Sequence, residues 1–284
     1  MDIIKDPQEL RARCRDWLRR DVVTGLVPTM GSLHAGHASL LRLARERAER
    51  VVASVFVNPT QFGPGEDLAA YPRDLDRDAA LARQAGVDVL FAPAPEAMYA
   101  PEAATWVEVP ALSGYLCGAS RPIHFRGVCT VVSKLFLLAQ PSLAVFGEKD
   151  WQQLAILRRM TIDLGFPVEI VGAPIVREAD GLALSSRNVY LTRQERAEAP
   201  HINKGLAQAA ARVAAGERDA GRILAETAAS FAREMPSASL DYLACVHPER
   251  LHALDVIDGP ALFATAVKFS RARLIDNRLA GVTG

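Results

Sequence analysis

The chain has 284 residues with 33 basic and 33 acidic side chains, a formal net charge of zero that argues against nucleic acid or an anionic membrane as partner. Hydrophobic residues make up 50% of it, enough core for one large or two modest domains, yet it has no long uncharged apolar run, so no membrane-spanning helix is expected. Residues 1–6 do not read as a secretory leader, and Cys14, Cys117, Cys129 and Cys245 lie far apart without a CxxC pair. Free thiols in a reducing cytoplasm are therefore expected. Neither an internal repeat nor a low-complexity tract breaks the sequence.

Residues 7–20 predict an amphipathic helix with Leu10, Cys14, Trp17 and Leu18 on one face. Residues 22–27 predict a short apolar strand, which Pro28 should end by removing a backbone donor. The stretch Thr29-Met30-Gly31-Ser32-Leu33-His34-Ala35-Gly36-His37 follows, and then Leu40, Leu41, Ala44 and Ala48 recur at helical spacing. It is thus a strand-to-helix turn, the place where open α/β sheets bind ligands. His34 and His37 fall on one face of the helix's first turn, and Gly36 between them lets a flat ligand approach the backbone. Amide hydrogens and the positive end of the helix dipole favour phosphate there and disfavour imidazolium, so neutral rings that donate to phosphate are expected. By spacing alone, the pair is also compatible with a metal half-site or with two satisfied surface histidines.

Residues 51–57 form an almost continuous apolar run, as a parallel strand buried on both faces requires, and end in Asn58-Pro59-Thr60-Gln61-Phe62. Gln61 sits at the carboxyl end of that strand, although buried amides of this kind commonly serve backbone groups. Residues 67–85 predict a helix closed by Gly86, and residues 87–91 another buried strand. Residues 92–115, rich in Pro and Ala, predict a substrate-covering loop with a short strand at 106–109. After Arg121, His124 and Arg126, whose roles the sequence leaves open, an apolar helix is expected over about 130–138. Residues 142–146 predict a strand running into Gly147-Glu148-Lys149-Asp150, a second strand-to-helix turn with Gln153 one turn further on. Lys149 is one of only five lysines and its point charge suits phosphate, while Asp150 suits ribose hydroxyls or a helix cap. A surface salt bridge among Glu148, Lys149 and Asp150 is the plain alternative.

Gly165 closes that helix, residues 168–171 predict the last parallel strand, and Asp180-Gly181 predicts a turn, with a domain boundary near Val176. Leu184-Ser185-Ser186-Arg187 reads as a phosphate clamp or as a loop capping the next helix. Thr192 and Glu195 already have capping-box spacing for that helix, which favours the clamp. Two Ala-rich helices follow, at 192–215 with a break at Pro200 and at 220–234, then strands at 240–246, 261–269 and 273–276. The whole predicts an α/β fold: a Rossmann-like doubly wound parallel sheet over 1–175, with a smaller C-terminal α+β lid domain over 176–284.

Five motifs, TMGSLHAGH, FVNPTQF, HFRGV, VFGEKDWQQL and DGLALSSRNVYL, occur in an order that resembles the pantothenate synthetase (pantoate–β-alanine ligase) family of the HxGH nucleotidyltransferase superfamily. Departures are small: Ile123 stands where the family commonly has Gly, and Trp151 replaces another aromatic. The resemblance implies an enzyme that condenses D-pantoate with β-alanine, using ATP as substrate with Mg²⁺, through pantoyl adenylate, and it implies a cytoplasmic homodimer. It implies that His34, His37, Lys149 and Arg187 are catalytic. It places ATP on Met30, Gly31, Ser32, Leu33, His34, Ala35, Gly36, His37, Gly147, Glu148, Lys149, Asp150, Val176, Leu184, Ser185, Ser186 and Arg187. Pantoate would be held by Gln61 and Gln153 beside Met30, with no protein metal ligand implied. Three rivals fit less well. An aminoacyl-tRNA synthetase fragment lacks support because the chain has no basic anticodon-binding region. Another small-molecule adenylyltransferase or cytidylyltransferase would lack the Gln61 and Gln153 pair, and a non-catalytic nucleotide binder would lack His37, Lys149 or Arg187.

Overall fold

The computed structural model describes residues 1–64, 66, 68–69 and 71–281. Along the chain come β1 (Asp2–Ile4), α1 (Pro7–Arg19), β2 (Thr24–Thr29), α2 (Ala35–Arg47), β3 (Arg50–Val55), α3 (Leu75–Gln84) and β4 (Val89–Phe91). Short helices α4 (Pro95–Met98), α5 (Pro110–Ser113) and α6 (Leu116–Ser120) precede α7 (His124–Ala139), β5 (Leu143–Gly147), α8 (Trp151–Asp163) and β6 (Glu169–Ala173). The remainder holds α9 (Arg193–Glu198), α10 (His201–Ala214), α11 (Ala220–Glu234), β7 (Ser239–Val246), β8 (Ala261–Lys268) and β9 (Arg273–Ala280). Two compact units result. The first comprises Met1–Ser113, Arg121–Glu148 and Ile156–Pro174; the second comprises Gly114–Ser120, Lys149–Ala155 and the chain from Ile175 onward.

In the first unit six strands form one parallel sheet in the order β1-β4-β3-β2-β5-β6. Leu26, Val51, Val52, Ala53 and Leu90 are buried to the last atom, which is why residues 51–57 read as unbroken hydrophobics. Helices α2 and α3 cover the face carrying Val27, Val51, Ala53, Leu90 and Val145, while α1 and α7 pack on each other and on β2. From β2 the chain winds one way through β3 and β4, and from β5 the other way to β6. The switch point therefore lies between β2 and β5, paired through Gly25–Leu143 and Leu26–Ala144, and both turns singled out above leave the carboxyl ends of these two strands.

Several local expectations are corrected. Pro28 lies inside β2 rather than ending it. Thr29 turns its amide to Ser54 of β3, so Pro28 turns its donorless nitrogen to the β5 side, where pairing has ended at Leu26. The helix expected over 67–85 begins at Leu75, because Asp74 caps it by accepting from the Arg77 amide at 3.1 Å; Asp67 lies outside the described residues. Helix α7 starts at His124, six residues before the expected start, since Gly127 permits a close approach rather than a break. A Cβ there would sit 2.4 Å from the Thr60 carbonyl oxygen. Residues 106–109 form no strand; the Val107 amide donates to Thr130 Oγ1 at 3.0 Å instead. Strand β1, not expected from sequence, pairs with β4 at the sheet edge.

The second unit is an antiparallel sheet, β7-β8-β9, backed by α10 and α11 around Leu206, Phe231, Phe263 and Val267. Gly205 lets the Phe231 ring lie against α10, where a Cβ would come within 2.4 Å of it. The Gln152 side chain ties in the two short segments of this unit, donating to the Tyr115 carbonyl at 2.7 Å and accepting from the Gly118 amide at 3.4 Å. The observed architecture is the doubly wound α/β sheet with a small α+β part that the sequence predicts.

Candidate active site

The β2–α2 turn is built by backbone conformation first. Gly31 (φ +84°) and Ser32 (φ +52°) are both left-handed, and a Cβ on Gly31 would lie 2.9 Å from Asp78 Oδ2 and from Val55 Cγ1, so only glycine fits. Asp78 of α3 is 1% exposed and accepts the Ser32 amide at 2.9 Å and the Leu33 amide at 2.6 Å. Burial pushes its carboxyl pKa up against the pull of the Leu33 and Ser32 amides. The turn's donors at Ser32 and Leu33 are thus committed to a protein carboxylate, a role that sequence reasoning does not assign to Asp78.

His34 is the N-cap of α2, in extended backbone, and its Nδ1 accepts the Gly36 amide at 3.1 Å. His37 returns the favour, its Nδ1 accepting the His34 amide at 3.3 Å. The two imidazoles therefore play the parts that a hydroxyl and a carboxylate play in an ordinary capping box. Each Nδ1 is an acceptor, so each neutral ring carries its proton on Nε2. The ring centroids are 4.1 Å apart with planes tilted by 44°. An imidazolium would put N–H against N–H, so this geometry is one for neutral donors.

Gln61 closes a single 3-10 turn, Pro59–Gln61, capped by Asn58. Asn58, 1% exposed, donates through Nδ2 to Gln61 Oε1 at 2.9 Å and to the Gly127 carbonyl at 3.1 Å. Its own Oδ1 accepts from Thr60 Oγ1 at 2.9 Å and from the Tyr99 hydroxyl at 3.0 Å. The Gly127 carbonyl, which can only accept, and the Thr60 amide, which can only donate, fix which end of the Asn58 amide is which, and Asn58 in turn fixes that of Gln61. Arg121 and His124 brace the backbone of the same residue: Arg121 Nη2 donates to the Gln61 carbonyl at 3.3 Å, and His124 Nδ1 donates to it at 3.1 Å. Arg121 also grips Glu66 with two bonds of 2.7 and 2.6 Å, which hold the Glu66 carboxyl below the usual range. Arg126 lies over the Trp106 ring, 4.7 Å from its centroid.

Met30 to His37, Gln61, Gly147 and Glu148 belong to the first unit. Lys149, Asp150, Gln153, Val176, Leu184, Ser185, Ser186 and Arg187 belong to the second, where β9 joins their turns. Asn277 donates to the Lys149 carbonyl at 3.0 Å, while the adjacent Asp276 grips Arg177 with bonds of 2.7 and 2.9 Å. The Val176 carbonyl accepts the Leu184 amide at 3.0 Å, which sets the start of the 184–187 turn. Ser185 does have a capping duty, contrary to the elimination based on Thr192: its Oγ accepts the Arg187 amide at 3.2 Å and caps the 3-10 turn Ser186–Tyr190. Asn188 anchors that turn by donating to Glu178 Oε1 at 2.9 Å and to the Ala183 carbonyl at 3.1 Å.

A doubly wound parallel sheet with two imidazoles paired at its switch point defines an α/β protein of the class whose ligands bind in the crevice at that point. A family model described as pantoate-beta-alanine ligase matches residues 2–279. The chain is 71% identical over 280 residues to the pantothenate synthetase of Solidesulfovibrio magneticus, covering 99% of this chain and 98% of that one. Its fold matches the crystal structure of pantothenate synthetase from Thermus thermophilus with a TM-score of 0.91 at 51% identity, covering 98% and 99% of the two chains. It also matches the pantoate-beta-alanine ligase of Francisella tularensis, solved in complex with beta-gamma ATP and beta-alanine, with a TM-score of 0.78 at 30% identity, covering 100% and 99%. The chain belongs to the pantoate–β-alanine ligase family, the one its five motifs resemble.

Proposed function

We propose that this chain condenses D-pantoate with β-alanine in two half-reactions, releasing AMP and pyrophosphate. The pantoate carboxylate attacks the α-phosphorus of ATP to give pantoyl adenylate and pyrophosphate. The amine of β-alanine then attacks the acyl carbon, displacing AMP and giving pantothenate. The observation that supports this reading is the imidazole capping box at the switch point, which fixes both rings at the start of α2 through their Nδ1 atoms, in a chain of this family. No side-chain nucleophile is needed, so the protein works by orientation and by countering developing charge.

His34 and His37 contact the phosphates, with His37 the proton donor. Lys149, Ser185, Ser186 and Arg187 bind the phosphate chain, the Ser185 hydroxyl keeping its proton to donate because it accepts at its lone pair. Gly147 and Asp150 hold the ribose and backbone at Val176 the adenine, while Gln61 and Gln153 hold pantoate beside Met30. Mg²⁺ accompanies ATP, held mostly by phosphate oxygens and water, as this ion prefers. The active species is a cytoplasmic homodimer; among the described residues no helix is long and apolar enough to cross a membrane.

Isotope exchange between pyrophosphate and ATP tests the first half-reaction. Exchange should require D-pantoate and proceed without β-alanine. Equal exchange with unrelated carboxylic acids would overturn the substrate assignment.

A further inference from the structure

We infer that Asp78 is the positioning residue of the histidine turn, a built-in carboxylate that occupies the anion-binding concavity formed by the Ser32 and Leu33 amides. The inference rests on the reading above only for what the turn does in catalysis. In this turn, where Gly31 and Ser32 both have positive φ, the successive Ser32 and Leu33 amides point at one carboxylate, and concavities of successive turn amides ordinarily capture an external anion. Here the concavity holds both oxygens of one side chain, at 2.9 and 2.6 Å, from a residue 45 positions away. Charge-assisted bonds from one rigid carboxylate to neighbouring amides fix the plane of the peptide between them. That plane sets the direction in which the chain enters His34, and His34 is both the cap of α2 and half of the imidazole pair.

Two consequences follow. Asp78 holds the amide of Ser32, a non-glycine residue in the left-handed conformation that L residues rarely keep, so its loss frees Ser32 to relax. At this turn, moreover, phosphate meets the imidazoles rather than the Ser32 and Leu33 amides, because an anion of the protein's own already occupies those two amides. A pocket of about 260 Å³, bordered by Met30, Gly31, Phe56, Leu75 and Pro93, has Asp78 in its wall, so a small solute in it lies beside the position an alanine would vacate.

Chemical rescue separates this role from simple packing. In the full chain, Asp78→Ala should lower pantoate-dependent exchange about a hundredfold, the scale of a misplaced catalytic group. Sodium formate, but not sodium chloride, should restore most of that loss saturably, and it should leave the parent chain unchanged. Asp78→Asn fills the space but turns an NH2 against one of the two amides; it should be as slow and should gain nothing from formate. The amide NMR signals of Ser32 and Leu33 and the ring signals of His34 and His37 should move in both variants and return with formate in the alanine variant alone. Those signals need no substrate, so they report on Asp78 even if the parent chain proves inactive on pantoate. Parental rates and signals in Asp78→Asn, or a loss in Asp78→Ala that formate leaves untouched, would overturn the inference.

Discussion

The His34 amide donates to Nδ1 of His37 across 3.3 Å, so the residue that begins α2 is satisfied by the ring three places further on. The same two side chains thereby cap a helix and present donors, and the two duties are separable by substitution. His34→Asn retains an N-cap acceptor and should unfold within a few degrees of the parent chain. Its exchange rate should still fall about a hundredfold or more, the usual loss when one positioned donor is removed. His34→Ala should lose the same activity and about 1 kcal/mol of stability as well, the cost of an absent cap. Thermal unfolding beside pyrophosphate exchange measures both. Equal stability of the two variants would show that His34 is no cap in solution.

Asn58 offers a second test because its amide orientation is fully determined. Asn58→Asp keeps the acceptor for Tyr99 and Thr60 but removes the donor that Gln61 Oε1 and the Gly127 carbonyl use. Gln61 should then turn its amide over and offer an oxygen where it had offered an NH2. Leaving such a group mispaired costs about 1–3 kcal/mol, so KM for pantoate should rise about ten- to hundredfold while KM for ATP stays within about threefold. Initial rates at varied pantoate and varied ATP decide this. A parallel rise in both constants would mean the turn had collapsed rather than re-aimed.

What could be read from the sequence follows from how local each cause is. Residues 51–57 betray a doubly buried strand because both faces of β3 exclude water, and His34 and His37 read as neighbours because helical spacing alone puts them on one turn. Gly127 misleads: a glycine reads as a break, yet here it marks where α7 touches the backbone at Thr60, a contact 67 positions away in sequence. Asp78 leaves no trace either, since a first-turn acid looks like an ordinary complement to the helix dipole, and its partners lie 45 and 46 positions upstream. Strand β1 is three residues long and half exposed, too short for any periodicity to show. Ser185 misleads for a different reason: Thr192 does cap α9, but a second helical turn needing its own cap precedes it.

One ion pair in the second unit is almost wholly buried on its acidic side. Asp276, with a side chain 3% exposed, holds Arg177 bidentately and also accepts the Asn277 amide at 2.8 Å. Asp276→Asn keeps most of the shape and strands the guanidinium, so it should cost about 3 kcal/mol in urea unfolding. Replacing Arg177 by Met in the same chain should recover part of that loss, because the uncompensated charge goes with it. A double variant no more stable than Asp276→Asn would assign the loss to packing instead.

Acid stability should bear the mark of Glu195. Its carboxylate accepts the Thr192 amide at 2.8 Å and the Ser270 amide at 2.8 Å, and these bonds, the Thr192 one foremost, pull its pKa from 4.5 down to about 2. A carboxyl with a depressed folded pKa favours the fold while it is charged in both states. Its contribution is therefore whole above pH 4.5, shrinks as pH falls through the interval, and is gone near pH 2. Glu195→Gln has no such contribution. It should melt below the parent chain at pH 7, and the gap should narrow steadily as melts are repeated from about pH 4.5 toward about pH 2.5. A gap that stays constant over that range would place the loss in the shape of the side chain and not in its charge.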